Sequence, residues 1–154
     1  MGQTAVALGD DQLLAAKVRL LEAFVSRGDI TDCTQYALQW LAEVLGLSPS
    51  LCLLRPEGEE ALFTVGALGL PGTAASRFVA SLEDWSNPLV TAFSNREHAF
   101  FRSAHTAAER KRRPSTPFED SAFHVVPLLA AELNHDAFGL LLIGGGGALP
   151  PELR

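Results

Sequence analysis

Residues 121–147 read SAFHVVPLLAAELNHDAFGLLLIGGGG, two apolar runs, Phe123 to Ala131 and Ala137 to Ile143, around the polar cluster Glu132-Leu133-Asn134-His135-Asp136. Apolar runs this short with turn residues between them read as the two strands of a hairpin. Neither run alternates cleanly between apolar and polar residues. Strands of that kind must be covered on both faces, so helices are expected on each side of the sheet that contains them. Pro127 has no N–H to give to a ladder and is expected to mark a bulge or the point where pairing starts.

The whole chain has 154 residues, 47% of them hydrophobic, which is enough for one core and short for two. The expected organisation is an N-terminal helix over residues 1–28 followed by one domain over 29–154. A net charge of -6 argues against nucleic acid as the main partner, because binding to phosphate backbones rests on a positive surface. The start, Met1-Gly2-Gln3-Thr4-Ala5, has no basic residues ahead of an apolar segment, and no apolar run approaches the length of a membrane span, so a cytoplasmic chain is expected. Val6 stands where a myristoylation signal needs Ser or Thr. Two cysteines, Cys33 and Cys52, are too few for a disulfide framework and are not spaced as metal ligands.

Upstream of the hairpin, Gln12 to Arg27 has the pattern of a helix in which Leu14, Val18, Leu21 and Val25 form a narrow seam, widened by Leu13, Leu20 and Phe24. Such a seam suits the same helix of a second copy, and packing on its own domain is the alternative. Asp29 to Leu47 predicts a second helix, with Asp29 or Thr31 as N-cap, Gly46 at its end, and Ile30, Cys33, Ala37, Trp40, Leu41, Val44 and Leu45 on the apolar face. Cys33 is expected to be a small buried hydrophobe, and Cys52 to line core or pocket. Strands are predicted over Ser50 to Arg55 and Ala61 to Leu70, the latter broken by Gly66 and Gly69, with Pro56 to Glu60 as the turn between them. Thr73 is read as the cap of a helix from Ala74 to Leu82, and Asn87-Pro88 as the start of another ending near Ser94. His98 to Arg102 reads as a short strand, and Ser103 to Asp120, with its run Arg110-Lys111-Arg112-Arg113, as a solvated and mobile loop. After the hairpin, Pro150 and Pro151 signal the first turn of a further helix, and its interruption at Arg154 suggests a piece of something longer.

This order of elements, with Leu51-Cys52-Leu53-Leu54 after an apolar helix, the Asn87-Pro88-Leu89 helix start, the strand at His98 to Arg102 and the Val126-Pro127-Leu128 hairpin, resembles a GAF domain over roughly Asp29 to Arg154. The resemblance implies an α+β fold: a central antiparallel sheet of five to six strands with helices packed on both faces. It implies a regulatory module of a bacterial signalling protein, such as a transcription activator or sensor kinase, sensing a small molecule over the sheet, dimerising, or both. A ligand-free interaction module is the alternative. The chain departs from several branches of the family. The polar signature of cyclic-nucleotide binders is not found in register, and Cys33 and Cys52 are poorly placed for a bilin link. The loop before His124-Val125-Val126-Pro127 offers Ser115, Thr116 and Phe118 where methionine sulfoxide-reducing members carry thiols.

The residues themselves point to little chemistry. His98, His105, His124 and His135 include no pair at helical zinc-site spacing, and the four glycines Gly144 to Gly147 lack the Lys and Ser or Thr of a phosphate loop. His124 is expected to be a buried core histidine bonded to backbone, with a ligand role as the alternative. Glu119 and Asp120, adjacent in an extended segment, should face opposite ways and end a solvated loop. No activated nucleophile or acid–base pair stands out, so no enzyme is expected and no cofactor is implied. The candidate ligand wall comprises Phe78, Trp85, Phe100, Arg102, Phe118 and His124, with Arg102 as an anion anchor.

Overall fold

The computed structural model describes residues 14, 15, 18, 29–130 and 136–150. Most of the predicted N-terminal helix, including Leu21 and Val25, and the segments 131–135 and 151–154 lie outside the described residues. Leu14 and Val18 are helical, and both are exposed, 62% and 43%.

Helix α1 (Ile30–Leu45) begins where Asp29 Oδ1 accepts a hydrogen bond from the Thr31 N–H at 2.9 Å, which satisfies one of the orphan donors of the first turn. It ends at Gly46, whose φ of 68° is the left-handed turn that glycine adopts at no steric cost. The buried face is centred on Thr34, Leu38 and Leu41 rather than on the stripe predicted from Ile30. Ile30 is exposed and Cys33 is half-buried. A glycine on the sheet accounts for the shift: a Cβ added at Gly66 would come within 2.7 Å of Thr34 Cγ2, so the bare backbone there lets Thr34 sit down on the strand. Gly66 therefore stays inside its strand instead of breaking it.

The strands are β1 (Ser50–Leu54), β2 (Ala61–Leu68), β3 (Val79–Ser81), β4 (Ala99–Phe101), β5 (Phe123–Leu129) and β6 (Ala137–Gly144). They form one sheet in the order β3-β2-β1-β6-β5-β4, with every neighbouring pair antiparallel. The expected hairpin is present as β5 and β6, paired from Phe123↔Gly144 to Leu129↔Ala137 with an irregularity between Leu128 and Leu129. Pro127 lies inside this ladder, opposite Leu140, but beyond Val125, where pairing with β4 ends. From there β5 has a strand on one side only, and a residue without an N–H is tolerated at such an edge.

Helix α2 (Gly72–Ser76) replaces the longer helix predicted for Ala74 to Leu82. Its N-cap is Pro71, with no side-chain hydrogen bond, so Thr73 is not the cap. The chain after it straightens instead, and Val79 to Ser81 pairs with Phe63 to Ala61. The helical pattern of the segment loses to the unpaired backbone groups along the outer edge of β2, which a strand satisfies and a helix does not. Helix α3 (Pro88–Asn95) forms as read, with Asn87 Oδ1 accepting from Leu89 N–H at 3.0 Å. A short helix α4 (Ala107–Lys111), capped by Thr106, interrupts the loop between β4 and β5.

Alternation along the strands divides the core in two. Leu51, Leu53, Leu62, Phe123, Val125, Leu140 and Leu142 face α2 and α3, packing against Ala75, Leu89, Val90 and Phe93. Cys52, Val126, Leu141 and Ile143 face α1, packing against Leu38 and Leu41. At the centre, β1 and β6 run side by side from Ser50↔Ile143 to Leu54↔Gly139. A Cβ at Gly139 would overlap the Leu53 carbonyl oxygen and lie 2.7 Å from Leu54 Cδ2. Gly139→Ala is therefore expected to destabilise the fold by about 1–3 kcal/mol, the usual range for overpacking, measured by urea denaturation. Ser50 presents the opposite case, a fully buried hydroxyl with no hydrogen-bond partner. Ser50→Ala is expected to leave stability unchanged or raise it by about 1 kcal/mol in the same assay.

Candidate functional site

The predicted wall residues divide between the two faces of the sheet and its exposed rim. Phe78 is half-buried and Phe118 buried on the α2–α3 side of the sheet. Phe100 and His124 are cross-strand partners on the opposite side, with ring centroids 4.6 Å apart. Trp85 is 73% exposed in the turn before α3, and Arg102 is exposed just after β4. His124 is half-buried rather than buried, because α1 covers the β1–β2 end of its face and leaves the β4–β5 end open. The expected bond to backbone is present, between His124 Nε2 and the Gly147 carbonyl oxygen at 2.6 Å.

The α2–α3 face carries an apolar cluster. Phe123 lies at its β4–β5 end, with its ring 4.9 Å from that of Phe118 and 5.2 Å from that of Phe101. A guanidinium closes this cluster: Arg113 Cζ stands 5.3 Å from the Phe123 centroid, a cation–π arrangement. The same side chain holds three backbone carbonyls from two segments. Its Nη1 donates to Arg102 O at 2.6 Å and Asp120 O at 3.1 Å, and its Nη2 donates to Ser121 O at 2.6 Å. The run of four cations is thus not uniformly solvated. Arg110 pairs with Asp120 at 3.1 Å, whereas Arg113 is folded under the loop it belongs to.

The loop as a whole is packed rather than free. Pro114, Pro117 and Phe118 are buried, Glu119 takes a positive φ of 56°, and Ala104 N–H donates to Asp120 O at 2.9 Å. A left-handed residue just before Asp120 turns the chain back toward β5. Around this turn lies a cavity of about 240 Å³ lined by Arg110, Arg113, Pro114, Ser115, Thr116, Glu119 and Asp120. Sequence reasoning missed Arg113, because four adjacent cations on an acidic protein look alike until the fold separates them.

A second cavity, of about 320 Å³, lies between α1, β2 and α2. Gln35 on its wall donates from Nε2 to Ala67 O at 2.9 Å and accepts through Oε1 from Ala67 N–H at 3.3 Å, standing in for a neighbouring strand where β3 has ended. Thr64 Oγ1 and Ser76 Oγ donate to the carbonyls of Phe78 and Thr73, so the polar side chains here serve the fold. Among the described residues no group of three or more His, Cys, Asp or Glu could hold a metal ion, and no helix is long and apolar enough to cross a membrane.

No family model matches the sequence, and no curated protein matches it. Solved structures do match. The GAF domain of an Acinetobacter phosphoenolpyruvate-protein phosphotransferase superposes with a TM-score of 0.69 at 14% identity, over 89% of this chain and 78% of that one. Residues 122 to 287 of a methyl-accepting chemotaxis protein give 0.64 at 16% identity, covering 84% and 81%. The free methionine-R-sulfoxide reductase of Neisseria meningitidis, solved with its substrate, gives 0.57 at 14% identity, covering 94% and 80%. The chain has the GAF fold: six antiparallel strands with helices on both faces.

Neither cysteine lies in the loop before β5. Cys52 is enclosed on the α1 side of the sheet, where burial pushes its thiol from 9.0 up to about 12. The unfolded chain ionises near the ordinary value, so the neutral thiol stabilises the native state fully below pH 9 and this contribution is lost as the pH rises toward about 12. Between those limits stability is expected to fall more steeply in the wild type than in Cys52→Ala, measured by urea denaturation across the alkaline range.

Proposed function

We propose that this chain is the regulatory or sensory GAF domain of a bacterial signalling protein, working in the cytoplasm on an output domain of the transcription-activator or sensor-kinase kind. The observation that carries the reading is its fold, shared with a GAF domain of a phosphotransferase and with a segment of a methyl-accepting chemotaxis protein. A fold of this kind hosts chemistry only where a site supplies it, and the reductase that shares the fold is the reminder. In this chain the loop before β5 carries hydroxyls and a guanidinium in place of thiols, which favours binding over turnover.

Ligand entry belongs on the α2–α3 side, with Phe78 and Phe118 as the wall residues that share it. Transmission belongs on the other side. Leu149, in the segment leaving β6, is buried with Leu38 and Leu41 of α1, and His124 holds Gly147 beside it. A ligand that prefers one packing of the sheet thereby shifts the relative population of two positions of α1 and the exit segment. In full-length protein, ligand affinity should change when the output domain is removed; equal affinity with and without it defeats this mechanism.

The domain division at residue 28 and a homodimer through Leu14, Val18, Leu21 and Val25 complete the proposal. Support comes from Leu14 and Val18, which are helical and turned to solvent in the single chain. Sedimentation should report a dimer for the intact chain and a monomer for Leu14→Glu/Val18→Glu, since a charge in an apolar seam opposes pairing. Identical monomers in both samples defeat the dimer. Thermal shift against nucleotides, amino acids, oxo-acids and haem tests for a ligand, because selective binding to the native state raises its melting temperature.

A further inference from the structure

The outer edge of β2 is completed in different ways along its length. From Ala61 to Phe63 it pairs with β3, and at Thr64 the side-chain hydroxyl takes over by donating to Phe78 O at 2.9 Å. Val65 is the extra residue of a bulge, because Thr64 and Gly66 pair with the successive residues Leu53 and Cys52 of β1 and pass it over. At Ala67 both backbone groups meet the Gln35 carboxamide: Nε2 donates to Ala67 O at 2.9 Å, and Oε1 accepts from Ala67 N–H at 3.3 Å. In an antiparallel ladder those two bonds come from the N–H and C=O of one residue on the next strand. A side chain of α1 therefore holds the place of a strand residue.

Beside this carboxamide there is room. The cavity of about 320 Å³ runs along β2 from Thr64 to Ala67, with Gln35 on its α1 wall and Leu70 and Gly72 on the connection that leads to β3. Its volume is at the lower end of the roughly 300–1,000 Å³ of small-ligand sites. Gln35 and Ala67 both line it, so a rotation of the Gln35 side chain leaves the Ala67 N–H and O open to that space. Val65, Ala67 and Leu70 offer apolar surface, and none of the described residues lining the cavity is ionisable, so a charged group gains no ion pair there. The connection through α2 leaves β2 after Leu68 and returns to it as β3 at Phe63, alongside the stretch between. A long strand of another protein, or the same edge of a second copy, has no clear run along that stretch, whereas a ligand of two or three residues needs none.

We propose that this cavity binds a short extended peptide, uncharged over the part enclosed. One of its residues displaces the Gln35 carboxamide and pairs through its own N–H and C=O with Ala67. Hydrogen bonds are exchanged one for one, and the net gain comes from apolar groups of the peptide leaving water against Val65 and Leu70. Gln35 acts as a latch that keeps the edge satisfied while the cavity is empty. The site does not rest on the sensory reading: binding to this chain alone tests the site, while affinity with and without an output domain tests the signalling mechanism.

The experiment is a two-dimensional NMR titration of the whole chain with acetyl-alanine N-methylamide, whose alanine carries the N–H and C=O of one strand residue. The analogue methylated on both nitrogens, which keeps the carbonyls and has no N–H, is the comparison. The first ligand is expected to give saturable shifts at the Ala67 N–H and the Gln35 Nε2 protons, with Kd on the order of 10 mM for a molecule of this size, and the analogue none. In Gln35→Ala the competing amide is gone and the open edge is fully populated, so affinity should rise roughly tenfold, the worth of two ordinary hydrogen bonds. Gly72→Leu is the second variant. A Cβ there meets nothing within 4 Å, so the change leaves the Gln35 bonds to Ala67 in place, adds bulk to the cavity wall and should abolish the shifts. No saturable shift at Ala67 in either the wild type or Gln35→Ala overturns the site. Unchanged or weaker binding in folded Gln35→Ala overturns the displacement, and equal binding of the two ligands overturns the strand-like pairing. Undiminished binding to Gly72→Leu puts the ligand outside this cavity and overturns the proposal.

Discussion

The pairing of β1 with β6 is the contact on which the rest of this molecule depends. These two strands are buried on both faces, so their residues alternate between two separate apolar clusters: Leu51, Leu53, Leu140 and Leu142 into one, Cys52, Leu141 and Ile143 into the other. A slip of one residue between them would exchange the two sets and break both clusters at once, which is why the register is strongly specified. Gly139 permits close approach at one end, and at the other the Gly144 N–H donates to Pro49 O at 2.7 Å, just ahead of β1. The outer strands are added to this pair by hairpins on each side.

The two faces of the sheet are packed differently. Toward α2 and α3 the packing is apolar, aromatic at its β4–β5 end, and closed by the Arg113 guanidinium over Phe123. Toward α1 it joins that helix to the segment leaving β6, through Leu149 and the bond from His124 to Gly147. The two faces are joined through the strands they share. In a closely packed sheet that is a short and stiff path, since side chains of adjacent residues point to opposite faces.

The antiparallel sheet with helices on both faces was what the resemblance to a GAF domain implied, and the hairpin, the α1 caps at Asp29 and Gly46 and the Asn87-Pro88 helix start were legible in the chain itself. Each rests on a local cue: an apolar run between turn residues, a capping side chain, or a glycine or proline in the backbone geometry it favours. What escaped were features set by partners distant in sequence. Val79 to Ser81 becomes a strand because the edge of β2 is open beside it. The buried face of α1 centres on Thr34 because Gly66 lies beneath. The candidate wall was half recoverable, since aromatic residues mark the sheet faces, but strand parity puts Phe100 and His124 on one side and Phe118 with its neighbour Phe123 on the other.

By itself the sequence determined that the hairpin is buried on both faces, the caps of α1, the start of α3 and the absence of thiols from the loop before β5, because these follow from short-range patterns and from residue identity. Only the tertiary structure decided which face each aromatic residue serves, and that one cation of the run of four, Arg113, turns inward to hold three carbonyls. The physical reason is the same in each case. A side chain's environment is made by whatever the fold brings against it, and the segments that surround Arg113 and Phe123, from β4 and α4 to the start of β5, become neighbours only when the sheet has formed.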